Sequence, residues 1–258
     1  INLKLMKFDA TSYLDTYNKD TKWYPCTKGG SFRKWFGNNE YVIEWENNGY
    51  HVIDCAKSEN RNCQDYQDSY KFQPSFSWAD VCSKKPSFRY TVNSLSESKG
   101  MCLFPLDGDI YELGGFLNSN VADYLLLTLS TTLMVTAGII SKLPFLKGNT
   151  LINGIVKENI ALSKSDWDAH ETSWDFQENE LIKLQKEGLG TITAGLGETT
   201  FMKYSTLSLL YSEYIAKWEK MFRDLHANEE ELNRQFIEIY GLQDELTPEV
   251  PLDEVNDE

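Results

Sequence analysis

The chain has 258 residues, 41% of them hydrophobic and 25% charged, which is enough for one large or two small folded domains and excludes intrinsic disorder and collagen-like structure. Its formal charge of -14 is unevenly placed. Residues 1–160 carry 17 Lys+Arg against 17 Asp+Glu, and residues 161–258 carry 8 against 22. Such segregation predicts two regions with different surfaces and a boundary near residues 160–175. We divide the chain into 1–162 and an acidic, helical 163–258.

The chain opens on Ile1 with no basic-then-apolar leader behind it, so a segment of a longer polypeptide is expected, without a signal peptide. Five cysteines (Cys26, Cys55, Cys63, Cys82, Cys102) form no CxxC pair and are odd in number. This argues against a disulfide framework or zinc knuckle and for a reducing, cytoplasmic compartment. The longest charge-free stretch, Tyr124 to Ser141, is broken by Thr128, Ser130, Thr131, Thr132 and Thr136. It predicts a buried helix and a loop rather than a membrane span.

In chain order, Tyr41–Trp45 and Tyr50–Asp54 are short β-branched and aromatic runs around Asn48-Gly49, which predicts a hairpin. Phe88–Val92 and Met101–Phe104 read as two further strands, limited by Pro86 and Pro105, with polar loops between. Leu117, Val121, Tyr124, Leu125 and Leu129 give a helix over 113–129, and Ile152, Ile155, Val156 and Ile160 another over 150–162. Leu143-Pro144-Phe145 closes the loop between them. Gly188, Gly190, Gly195 and Gly197 suggest a flexible connector; they follow no predicted strand, which weakens a dinucleotide-binding reading. The stripe from Leu207 to Leu225 is an amphipathic helix. Asn228 with Glu231 suggests a capping box opening a second, antiparallel helix that ends at Gly241, and reversing the charges of Glu229, Glu230 and Glu231 would test whether this acidic region docks a partner. The tail from Leu246 is expected to be extended or loosely docked. The fold class is α+β, a mixed or antiparallel recognition sheet backed by helices and followed by an all-α segment.

No nucleophile, acid/base pair or metal cluster stands out, which argues against an autonomous hydrolase. His51, His170 and His226 sit in unrelated contexts and read as structural or surface residues. Asp166, Asp168, Glu171 and Asp175 gather around Trp167 and Trp174; helix capping and a solvated acidic turn fit them better than a bound cation, because no calcium-type loop accompanies them. Cations, amides and aromatics do concentrate in Lys22-Trp23-Tyr24-Pro25, Lys28 to Trp35 and Gly37-Asn38-Asn39, and again in Lys84, Lys85, Ser87, Arg89 and Tyr90. That is a composition suited to nucleic acid, against the alternative of surface loops whose tryptophans merely pack.

The run from Lys22 through Lys28-Gly29-Gly30, Arg33-Lys34-Trp35, Gly37 to Val42 and Trp45-Glu46-Asn47 resembles the C-terminal part of PglX-type adenine-specific DNA methyltransferases of BREX phage defence, which are similar in design to type IIG restriction-modification enzymes. Ser77-Trp78, Phe88-Arg89-Tyr90, Gly115 to Ser119, Leu143-Pro144-Phe145, Asp166-Trp167-Asp168, Glu171 to Phe176 and Tyr240 to Val250 extend the resemblance over most of the chain. Cys26, where an aromatic is common, and Glu178-Asn179-Glu180 depart from it. The family's Asn-Pro-Pro-Tyr motif and its glycine-containing S-adenosylmethionine motif do not occur here.

What the resemblance implies for residues 1–162 is a target recognition domain for double-stranded DNA. Catalysis and S-adenosylmethionine would belong to an N-terminal core of the same polypeptide, and no catalytic residue, cofactor or metal to this segment. On residue type and loop position, Lys28, Arg33, Lys34, Lys84, Lys85 and Arg89 are the candidates for phosphate or guanine contacts, and Ser31, Asn38 and Asn39 for base edges. Trp23, Trp35 and Trp45 read as core anchors. The alternative function is a protein-interaction module docking other defence subunits or a phage inhibitor through the acidic helices. No membrane partner is expected.

Overall fold

Strand β1 (Trp23–Thr27) buries its last four residues, and β2 (Tyr41–Glu44) pairs with it antiparallel, Tyr24 facing Ile43. The computed structural model describes residues 2–59, 66–81, 85–97, 99–106, 109–129, 134–194, 197–202 and 206–255, with backbone alone for 189–202. Cys63, Cys82, Lys84, Gly195 and residues 130–133 of the charge-free stretch lie outside the described residues.

The expected hairpin does not form. Tyr50–Asp54 lies in helix α1 (Glu46–Ser58), whose Asn47, Asn48 and Gly49 sit at φ 51°, 54° and 76°. The positive φ that Asn-Gly supplies is present, but three consecutive left-handed residues replace the two of a hairpin turn. The bend is pinned from outside the strand pair. Trp45 Nε1 donates to Asn48 Oδ1 (3.2 Å), the Asn48 amide N–H donates to Thr16 Oγ1 (2.9 Å), and a Cβ on Gly49 would come within 2.7 Å of the Trp45 indole.

A second sheet has β3 (Ser75–Ala79) at its centre, flanked antiparallel by β4 (Arg89–Thr91) and, beyond β5 (Leu95–Ser96) in sequence, by β6 (Gly100–Leu103). β5 joins the first sheet, parallel to β1. The strands expected over Phe88–Val92 and Met101–Phe104 are thus β4 and β6. Alternation along β3 separates chemistry: Phe76 and Trp78 enter the apolar core, while Ser77 Oγ bonds Thr91 Oγ1 (2.9 Å) on the other side.

The helical pattern over 113–129 is divided into α2 (Ile110–Leu117) and α3 (Asn120–Leu129). Asn118 leaves the helix to clamp β4's approach, its amide accepting from Phe88 N–H (3.0 Å) and donating to Phe88 O (2.9 Å). A short α4 (Ala137–Ile140) precedes α5 (Thr150–Asp168), which Asn149 caps. Gly114 lets α2 lie on β3, because a Cβ there would overlap the buried Phe76 ring. Gly114→Ala should therefore lower unfolding free energy by about 1–3 kcal/mol, read as a shifted denaturant midpoint at constant slope.

After α6 (Glu180–Glu187), strands β7 (Leu189–Ala194) and β8 (Gly197–Met202) pair antiparallel where a flexible connector was expected. α7 (Leu207–Tyr240) is one continuous helix of 34 residues, about 50 Å long, instead of two antiparallel ones. The capping signature at Asn228 yields to packing. Leu225, Glu229, Leu232, Asn233, Phe236 and Ile237 recur at helical spacing on a buried face that an interruption would break. Gly241, at φ 66°, ends the helix as expected.

One apolar cluster joins Phe76, Trp78, Phe116, Val121, Ile152 and Val156 to Leu225, Leu232, Phe236 and Ile237, with Phe116 and Tyr240 stacked at 5.5 Å. The charge boundary at residue 162 falls inside α5. The tail is extended and firmly packed: Asn233 Nδ2 donates to Pro248 O (3.0 Å), His226 Nε2 meets Val250 O (2.8 Å), and Val250 and Val255 are buried. The class is α+β. No helix among the described residues is long and apolar enough to cross a membrane.

Candidate nucleic-acid interface

The loop from Lys28 to Glu40 joins β1 to β2 and carries most of the expected contact residues. Its backbone is unusual, with Trp35 at φ 68°, Gly37 at 130° and Asn38 at 56°. A tryptophan in the left-handed region is strained, and persists where its surroundings over-determine it. Here they do. The Trp35 amide N–H donates to Phe88 O (3.0 Å), its carbonyl accepts from Tyr90 N–H (2.7 Å), and its indole Nε1 donates to Glu229 Oε1 (2.6 Å).

The cations of this loop divide by burial. Lys34 is 3% exposed, and its ammonium donates to Glu229 Oε2 at 2.6 Å. Glu229, named in the sequence only as a charge whose reversal would test docking, is buried on α7 as the joint acceptor of Lys34 and Trp35. Arg33 lies over the Trp167 ring (5.2 Å), donates to Phe36 O (2.8 Å) and Ser163 O (3.2 Å), and is ion-paired with Asp166. Ser163 Oγ returns bonds to Lys34 O (3.1 Å) and Phe36 O (3.2 Å). Residues 33–36 are thereby held to α5 and α7.

Lys85 is held between Asp123 (3.2 Å) and Glu254, and Arg89 is buried in β4. Lys28 is exposed, over the Tyr41 ring at 4.7 Å, and Ser31 is exposed too. Asn38 donates to Ser31 O (3.0 Å), and Asn39 lines a cleft of about 320 Å³ beside α5. The structure thus brings Lys28, Ser31, Asn38 and Asn39 together on one outward loop and draws Arg33, Lys34, Lys85 and Arg89 into the fold. Of the three tryptophans, Trp35 and Trp45 are core residues and Trp23 is half-buried.

Three of the four carboxylates near Trp167 and Trp174 are partnered by cations, and Glu171 is exposed. Asp166 holds Arg33, while Asp168 (2.6 Å) and Asp175 (2.5 Å) hold Lys164. Among the described residues no His, Cys, Asp and Glu grouping suits a metal ion. The histidines are scattered: His51 is exposed, His170 Nδ1 meets Asp166 O (2.8 Å), and His226 meets the tail. Burial pushes the Cys26 thiol up to about 11, so at neutral pH it is an uncharged lining group and a poor nucleophile. Gly188, Gly190 and Gly197 belong to or border an antiparallel hairpin, not the strand-to-helix turn of a nucleotide cradle, so they do not fit S-adenosylmethionine.

No protein-family model matches the chain. The adenine-specific methyltransferase PglX of Lacticaseibacillus casei (strain Zhang) is 33% identical over 253 residues, covering 95% of this chain and 20% of PglX. The adenine-specific methyltransferase BrxX of Escherichia coli O9:H4 (strain HS) is 33% identical over 232 residues, 88% of this chain and 17% of BrxX. The chain is homologous to one part of PglX and BrxX. It spans about a fifth of the length of these relatives. The family resemblance read from Lys22 to Val250 therefore holds at the level of homology.

Proposed function

We propose that this chain is the DNA-recognition part of a site-specific adenine methyltransferase of bacterial phage defence, acting in the cytoplasm. The carrying observation is homology over 95% of the chain to PglX, in a sequence that contains no Asn-Pro-Pro-Tyr motif. Chemistry on a base requires the base to leave the stack for a catalytic pocket, and a separate surface must then hold the duplex and read its neighbours. In this reading S-adenosylmethionine and the pocket belong to another part of the polypeptide. Lys28 meets phosphate, and Ser31, Asn38 and Asn39 meet base edges. Arg33, Lys34, Lys85 and Arg89 hold the reading loop and its supporting sheet.

The test is fluorescence anisotropy of labelled duplexes with the parent polypeptide across a salt series. Affinity should fall steeply with salt, and Lys28→Ala should reduce the slope of log K against log salt by roughly 1. Absence of salt-sensitive duplex binding by the parent rejects the proposal.

A second reading, docking of another defence subunit or a phage inhibitor, is favoured by one observation: Leu207, Leu209 and Tyr211 at the start of α7 are exposed, at 74%, 52% and 53%. It requires substitutions there to weaken assembly with duplex affinity unchanged.

A further inference from the structure

The cleft beside α5 has a lining that the recognition loop alone does not explain. Two side-chain amides, Asn39 from the loop and Asn93 from the turn before β5, border it. Among the described residues neither has a side-chain hydrogen-bond partner. Asn93 is held at φ 57°, a left-handed conformation that costs energy in a non-glycine residue and is enriched at ligand clamps. Aromatic side chains contribute much of the remaining wall, Phe36, Tyr90, Trp167 and Trp174, with Phe8 against Trp174 at 4.8 Å, beside the smaller Pro25, Cys26, Val92 and Ile160.

Its volume, about 320 Å³, is at the small end of ligand pockets and suits a single flat ring system. Charge selects further. Lys164 at the rim is already held by Asp168 and Asp175, two carboxylates on one ammonium, which disfavours a phosphate. A neutral, planar group with both donors and acceptors on its edge suits the aromatic and amide parts of this lining. Aromatic faces stack on such a ring, and an amide pairs with its edge in two-point fashion.

The geometry points to a binding site for an unpaired nucleobase in this cleft, read by Asn39 and Asn93. The inference rests on the proposed recognition role and deepens it. A base displaced from a duplex held by Lys28 and Ser31 would be received on the same loop that carries Asn39. A free nucleoside offers the same chemistry, so both sources are tested.

The experiment titrates the full chain with adenosine, guanosine, cytidine and thymidine at millimolar concentration, following tryptophan fluorescence, with Trp174→Leu to identify the reporter. Parallel titrations use a fully paired duplex and the same duplex carrying one unpaired base. At least one nucleoside should saturate, and Asn39→Ala or Asn93→Gly should each weaken it roughly two- to tenfold, the loss of about one hydrogen bond. Asn93→Gly keeps the left-handed backbone, so unchanged melting certifies its fold.

Tighter binding of the unpaired-base duplex, lost in both variants, supports the site with DNA as its source. Saturation by nucleosides alone supports it with a free ligand. If no nucleoside saturates and the variants bind every duplex like the parent chain, the site is overturned. In that case salt-sensitive duplex binding leaves the recognition proposal standing. Nucleoside saturation without duplex binding by the parent polypeptide overturns recognition instead.

Discussion

Glu229→Ala should destabilise the protein by about 3–5 kcal/mol, because it strands the buried Lys34 ammonium and the Trp35 indole N–H without their common acceptor. Both members of the ion pair are 3% exposed, so water cannot replace the lost carboxylate. Glu229→Gln should fall between, keeping an acceptor while removing the charge. Lys34→Met combined with Glu229→Gln should recover much of the loss, since removing both charges of a buried pair is far less costly than removing one. Chemical denaturation of the parent chain, Lys34→Met, Glu229→Gln and the double variant closes a double-mutant cycle. A change below about 1 kcal/mol for Glu229→Ala, the range of exposed pairs, would refute the buried-pair account. Under the proposed recognition role the consequence would reach function, because Lys34 and Trp35 support the loop bearing Ser31, Asn38 and Asn39.

A chain ending after Leu162 should fail to fold cooperatively. It would lack Leu225, Leu232, Phe236, Ile237, Val250 and Val255, all in the cluster with Phe116 and Ile152. At about 1.5–3 kcal/mol for each buried side chain, the six together are comparable to the whole stability of a typical domain. The shortened chain should retain helical circular dichroism, bind a hydrophobic dye and lose its sharp thermal transition. A cooperative melt near that of the full chain would show that residues 1–162 fold alone.

Much of the frame was legible because its signals are local. The 3–4 spacing of Ile152, Ile155, Val156 and Ile160 marks α5, and β-branched and aromatic runs bounded by prolines mark β4 and β6. Asn48-Gly49 misled because a left-handed lead into a helix uses the same positive φ as a hairpin turn, and the deciding contact comes from Thr16, 32 residues earlier. The Asn228–Glu231 signature misled because capping is worth less than the continuous buried face it would interrupt. At the site, residue type marked Lys34 and Arg33 as cations, but nothing local reveals that their counter-charges lie 195 and 133 residues away. Asn93 escaped notice, and Trp174 was read only as part of an acidic turn, for the same reason: only the fold brings them to Asn39.

The clasp of residues 33–36 by two distant helices also limits how this surface can be re-engineered. A graft of the whole β1–β2 connection into a relative would separate Lys34 from its counter-ion unless the recipient supplied a carboxylate at the matching turn of its long helix. Exchanges confined to Lys28, Ser31, Asn38 and Asn39 carry no such debt. Under the proposed recognition role, variation in target preference among natural relatives should accordingly concentrate at those tips, while the Lys34–Glu229 couple changes only in concert.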